Sequence, residues 1–171
     1  YLSVFFLCLA ATFHQSYLLA AAVLTFSYML VEFLKKKRLK GSIYMGILAI
    51  LLISPIAAYT LSNFMDSDSQ YHDEAQKILV GDRIAHHTNP AVWVDYLFFI
   101  KCLILISALF VLLHTKKDLF YIILVPFLVA ILGTVGAVLV DNNSLKLLLP
   151  WRLFTLLVLL SSVILLGKTF V

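Results

Sequence analysis

Apolar residues run along this chain in six long stretches, near 1–13, 16–34, 42–62, 91–113, 119–140 and 150–170, and the polar residues collect in the gaps between them. A membrane-crossing helix needs about 20 mostly apolar residues. A membrane barrel would instead alternate apolar and polar positions in runs of about 10. These stretches are apolar on every side, and in lipid each backbone group must be satisfied within its own segment, so they read as helices. The expected fold is all-α, a polytopic transmembrane helical bundle of about six membrane segments forming one domain over 1–171.

The first 34 residues carry one charge, Glu32. A single helix of that length would measure about 51 Å, against a bilayer core of roughly 30 Å. The polar cluster His14-Gln15-Ser16 divides the run and leaves a first segment too short to span. The chain is therefore expected to begin inside a helix, as a fragment of a longer protein. A cleaved signal peptide is the alternative. Ser54-Pro55 marks an expected kink in the third segment. Gly133-Thr134-Val135-Gly136 in the fifth offers a small-residue surface for close packing.

The one long connection, 63–90, opens with the N-cap formers Asp66-Ser67-Asp68-Ser69. Tyr71, Ala75, Ile78 and Leu79 then recur at helical spacing, Asp73 and Glu74 fall in the first turn, and Gly81 can close the helix. The pattern predicts a short amphipathic helix over about 69–80, lying on the membrane surface or capping the bundle. Asn89 is a natural N-cap and Pro90 a natural first residue for the fourth segment, with Trp93 at the aromatic belt. Pro150 and Trp151 open the sixth segment in the same way.

Composition closes off other classes. Of 171 residues, 63% are hydrophobic and 13% charged, and the mean hydropathy is +1.02. Soluble domains average about 45–50% apolar and about 25% charged. One soluble core could not hide so much apolar surface, and disorder needs the opposite balance. The pI near 9.1 reflects topology rather than nucleic-acid binding. Lys35-Lys36-Lys37-Arg38-Leu39-Lys40 packs five cations into six residues, which the positive-inside rule places in the cytoplasm. Alternation then puts 114–118 and Lys168 inside, and the turn at 14–15 with loops 63–90 and 141–149 outside. On that assignment eight cations and two acids lie inside, and four cations and seven acids outside. The bacterial inner membrane is the expected location, with loop 35–41 cytoplasmic.

This topology sorts the remaining polar side chains. His14, His72, His86 and His87 fall outside, with Arg83, Arg152, Asp95 and Asp141. Arg83, His86 and His87 have no explanation in helix chemistry. Arg152 opposes the dipole of the helix it opens, at a cost of about 0.3–1 kcal/mol, unless its guanidinium snorkels to the interface. Arginine grips phosphate through a bidentate fork, and imidazoles add donors or acid–base groups. The expected site is thus an outward-facing anion or phosphate site lined by Arg83, His86, His87, Arg152 and His14, with His86 and His87 as candidates for any catalytic step. No metal is expected: adjacent histidines on an extended segment point apart, the spacing fits no zinc pattern, and Cys8 and Cys102 lie inside apolar runs. Haem lacks facing histidines deep in the bundle. Lys101 reads as a charge about ten residues into the fourth segment, either in a polar cavity or paired with a missing part of the protein. Asn142-Asn143-Ser144 matches a glycosylation acceptor close to the membrane.

Arg83-Ile84-Ala85-His86-His87-Thr88-Asn89-Pro90-Ala91-Val92-Trp93, taken with Leu149-Pro150-Trp151-Arg152, resembles the motifs of an uncharacterised family of polytopic bacterial inner-membrane proteins. That family carries an Arg-x-Pro-His-His-x-x-Pro-like motif before one span and Pro-Trp-Arg before a later one. Ala85 stands here where the pattern has proline. The family's build resembles GT-C-type glycosyltransferases, which use polyprenyl-phosphate sugars. The resemblance covers about residues 60–171 and implies lipid-linked glycan chemistry at the outer face. It supplies no acidic catalytic residue in this chain, because the early outer loop that carries one in such enzymes would precede Tyr1. The partners it implies are the bilayer, a polyprenyl-phosphate-linked substrate, and the N-terminal remainder of the protein or a partner subunit. Two readings from other classes stand beside it: a transporter or flippase of an anionic amphiphile, with Lys101 on its path, and a non-catalytic membrane subunit.

Overall fold

The computed structural model describes residues 1–64, 69–140 and 143–169. Every regular element among them is a helix. The expected caps at Asp66-Ser67-Asp68 and the residues Asp141 and Asn142 lie outside the described residues. Two compact units result, Tyr1–Arg83 and Ile84–Val171.

In the first unit, α1 (Leu2–Phe13), α2 (Leu18–Leu34) and α3 (Leu39–Phe64) each pack against the other two. The opening apolar run breaks where the polar cluster predicts. His14 is extended at φ −145°, and its Nδ1 accepts from the Ser16 backbone N–H at 3.3 Å, before a 3-10 turn at Gln15–Tyr17. Val4, Cys8, Met45 and Ala49 form the core, flanked by Tyr28, Met29, Leu48, Leu52 and Ile53. Small residues of α3 let α2 come close. Ser42 Oγ donates to the Met29 carbonyl at 2.8 Å, and a Cβ on Gly46 would lie 3.1 Å from Met29 Cε. The cationic loop between them is tied to a buried acid: Lys36 Nζ lies 2.9 Å and Arg38 Nη1 3.8 Å from the Glu32 carboxylate, and the Arg38 backbone N–H donates to the Glu32 carbonyl at 3.1 Å. Lys37 takes the left-handed conformation, φ 53°, that turns the chain there. α3 continues through Pro55. α4 (Ser69–Ile78) follows, and a π-helical turn, Leu79–Arg83, contains Gly81 where the sequence suggests a helix end.

In the second unit, two single-turn helices, α5 (Ala85–Thr88) and α6 (Pro90–Trp93), lead into α7 (Tyr96–Thr115). Then come α8 (Lys117–Leu139), the short α9 (Asn143–Leu147) and α10 (Arg152–Thr169). α7, α8 and α10 form a mutually packed trio, with α6 and α9 against α8. Polarity does not separate inside from outside in this trio: large apolar side chains such as Leu105, Phe127 and Phe154 are buried, and small ones sit among them. Ala108, Ala130 and Ala137 are buried, while Phe99, Phe110 and Leu132 are exposed. Small residues in such an interface let helix backbones approach closely, as helices do in lipid.

Four segments are long and apolar enough to cross a membrane: Leu39–Tyr59, Tyr96–Thr115, Lys117–Leu139 and Leu145–Lys168. α1 and α2 are apolar but shorter, 12 and 17 residues.

Two helix starts differ from the sequence pattern. Asn89 does cap, its Oδ1 accepting from the Ala91 N–H at 3.0 Å, but the helix it opens lasts one turn. Asp95 then acts as a second cap, accepting from the Phe98 N–H at 3.0 Å, and the long helix begins at Tyr96 rather than 91. Asp95 is therefore a capping residue. Lys101 consequently falls in the second turn of α7, about 7.5 Å along it, and is half-buried. The last helix begins at Arg152, not Pro150, because Leu149 adopts φ 50° and Pro150-Trp151 form a turn ahead of it.

Gly133 in α8 faces that turn: a Cβ there would lie 2.8 Å from Pro150 Cβ, a rigid ring atom. Overpacking costs about 1–3 kcal/mol, and alanine regains up to about 1 kcal/mol of helix propensity. Gly133→Ala is expected to destabilise the protein by about 1–2 kcal/mol, read as a lower midpoint of thermal unfolding in detergent. Gly136→Ala is the control, since its Cβ would meet only Leu145 Cδ1 at 3.9 Å.

Candidate functional site

The conspicuous polar constellation of the second unit is built on α5. Its four residues, Ala85-His86-His87-Thr88, close a single turn on the Ile84 carbonyl, which accepts from the N–H groups of His87 (2.7 Å) and Thr88 (3.0 Å) and from the Thr88 hydroxyl (3.0 Å). Thr88 is fully buried and anchors the turn. Because the turn is helical, the two histidines do not point apart as they would on an extended strand. Their rings lie side by side, centroids 4.0 Å apart and planes at 47°.

Two tryptophans fix this turn from outside. Trp93 Nε1–H donates to the His86 carbonyl at 3.1 Å, and Trp151 Nε1–H donates to the His87 carbonyl at 3.0 Å across 64 residues of sequence. These carbonyls would be left without helical partners at the end of so short a helix, and the indoles satisfy both. Trp151 is 1% exposed. Beneath it, Phe154 stacks edge-on against Phe98 of α7 (4.7 Å) and Phe127 of α8 (6.0 Å). Phe154 thus ties α10 to both other long helices of the unit, three residues after the tryptophan that binds the turn.

The Trp151 contact brings Arg152 beside His87. His87 is half-buried, and its Nδ1 is fully buried with no hydrogen-bond partner. Burial, then the Arg152 guanidinium, then the His86 ring hold its pKa below the usual histidine range, so the neutral imidazole is favoured. The sign of the linkage follows. A histidine lowered by folding stabilises the protein above the ordinary value near 6.5, and this contribution is lost as pH falls through its folded pKa. Thermal stability should therefore drop on acidification below about 6.5, and His87→Gln should flatten that acid limb. Melting curves across pH in the same detergent check both.

Of the five expected site residues, His86, His87 and Arg152 belong to the second unit and come together there. His14 and Arg83 belong to the first. His14 serves the turn after α1, with Ser16 Oγ 2.8 Å from its Nδ1. Arg83 ends the π-helical turn and is exposed. Among the described residues no three His, Cys, Asp or Glu side chains are grouped so as to hold a metal ion. The residues that sequence reasoning passed over are Trp93, Trp151 and Thr88, which build the site without carrying its charge.

No protein-family model matches the chain, and neither a curated protein nor a solved structure is similar to it.

Proposed function

We propose that this is an integral membrane protein that binds the phosphate of a lipid-linked glycan substrate at the outer face of the bacterial inner membrane, as part of a GT-C-like glycosyltransferase. The observation that carries the reading is the α5 turn, whose backbone two indoles hold, with Arg152 next in sequence to the Trp151 that binds the His87 carbonyl. A cation that can form a bidentate fork, next to a neutral imidazole, is a phosphate-binding arrangement. Preorganised donors gain affinity because little order is lost on binding. Arg152 opens the last long apolar helix, so a ligand held there can lay an apolar tail along the bulky outward residues of the trio.

In this reading the chain has about six membrane segments, α1 and α2 among them as its shorter apolar helices. Glu32 and the cations of 35–40 lie in the cytoplasm, and α5 lies outside. α4 and the turn after it rest on the outer surface with Tyr71, Ile78 and Leu79 toward the lipid, side chains that are exposed. The transporter reading loses its marker, since Lys101 sits close enough to the start of α7 for its ammonium to reach the interface.

The test is selectivity for the charged head. Protein in lipid nanodiscs should bind a polyprenyl phosphate at least about tenfold more tightly than the polyprenol of the same length, a difference of roughly 1.4 kcal/mol. Equal binding of the two would show that the tail alone is recognised and would remove the phosphate site.

A further inference from the structure

The two nitrogens of His87 are not equivalent. Nδ1 is fully buried and has no hydrogen-bond partner, while the residue as a whole is half-buried and Nε2 is not among the buried unpartnered atoms, so the nitrogen open to a ligand is Nε2. A neutral imidazole has one N–H and one lone pair, and the environment decides which nitrogen takes which. A buried N–H with no acceptor forfeits a full hydrogen bond, and such orphaned donors are rarer in proteins than under-satisfied acceptors. The proton is better placed on Nε2, where water or a ligand can accept from it.

The surroundings hold the ring in this state. Its backbone cannot swing, because Trp151 donates to its own carbonyl and Trp93 to that of His86. The His86 ring covers one side at 4.0 Å. A lone pair on the open edge would repel an oxyanion drawn in by Arg152, whereas an N–H there completes its coordination.

We infer that His87 is a fixed hydrogen-bond donor, with its proton held on Nε2 and aimed at the ligand oxyanion beside Arg152, and that Trp93 and Trp151 are positioning residues that lock this geometry. The inference rests on the phosphate reading and adds to it: His87 supplies a neutral donor in the ground state, and the charge at the site comes from Arg152. The ligand class selected is an oxyanion with free acceptor lone pairs, such as a phosphodiester or pyrophosphate linkage. A hydroxyl-only headgroup would gain from the donor but not from the fork.

Nitrogen NMR of isotope-labelled histidine in the nanodisc-embedded protein tests this at neutral pH, with His87 assigned by the signals lost in His87→Gln. The expected spectrum has an unprotonated Nδ1 and a protonated Nε2 as one unaveraged tautomer. Adding a polyprenyl phosphate should move the Nε2 resonance and leave Nδ1 nearly still. Trp151→Phe, which keeps an aromatic ring but removes the indole N–H, should let the two tautomers average. A protonated Nδ1, or averaging in the unaltered protein, overturns the fixed donor while leaving the phosphate site standing. A single Nε2–H tautomer that does not respond to the lipid phosphate overturns the donor role together with the phosphate reading. Trp151→Phe with an unchanged single tautomer removes Trp151 as a positioning residue, and Trp93→Phe applies the same criterion to Trp93.

Discussion

Trp151→Ala is expected to destabilise the protein by about 3–5 kcal/mol, the range for emptying a well-packed aromatic site. Trp151 is the largest of the fully buried side chains among the described residues, and its indole reaches the α5 turn at the His87 carbonyl. The substitution also leaves the His87 carbonyl without its donor. Trp151→Phe separates the two contributions. It retains most of the packing and loses the hydrogen bond, so the cost should fall to about 1–3 kcal/mol. Equilibrium unfolding in a fixed detergent gives both values. Equal losses for Phe and Ala would mean that the hydrogen bond, not the volume, dominates. A negligible loss for Ala would mean that Trp151 does not close the site.

Arg152→Ala is expected to weaken polyprenyl-phosphate binding by about 10- to 100-fold, since a hydrogen bond to a charged group is worth roughly 1.5–3 kcal/mol. Arg152→Lys should recover only part of this, because lysine keeps the charge but cannot form the planar fork. The fold should survive both changes. Arg152 is half-buried, and the packing at this point is carried by Trp151, Leu153 and Phe154, each 2% exposed or less. Binding isotherms on variants with unchanged melting curves check this. Full recovery by lysine would indicate a diffuse charge effect rather than a fork.

The helices of this chain are legible in its sequence because the signals are local. Three polar residues at 14–16 interrupt an apolar run, and the chain turns there. Asn89-Pro90 announces a helix start, and Asn89 makes the capping bond. A second start went unread at Asp95. A carboxylate a turn into an apolar segment reads only as one more polar residue on the outer side, and its Oδ1 caps the long helix that begins at Tyr96. The packing faces were hidden for a different reason. These helices are apolar all round, so no polar stripe marks the outside, and large apolar residues lie on both faces, Leu105 and Phe127 buried and Phe110 and Leu132 exposed.

The candidate site was legible by charge and not by construction. Histidines and arginines stand out against an apolar background, and His86 and His87 lie ring to ring in the unit that holds Arg152. The tryptophans read as interfacial belt residues, a role that accounts for any Trp near a span end and so conceals a specific partner. Nothing in the spacing of Trp151 and His87 shows that an indole N–H reaches a carbonyl 64 residues away. Likewise, the orientation of the two imidazoles depends on whether 85–88 is extended or helical, and four residues carry too little periodicity to decide that.

The central claim is that His87 and Arg152 act on one oxyanion. A double-mutant cycle on polyprenyl-phosphate affinity, using His87→Gln, Arg152→Lys and the combined variant in nanodiscs, measures their coupling directly. Two groups that share a ligand should be coupled by about 0.5–3 kcal/mol, so the double variant should lose measurably less than the two single losses added together. Strict additivity, or single variants that bind as tightly as the unaltered protein, would contradict a shared site.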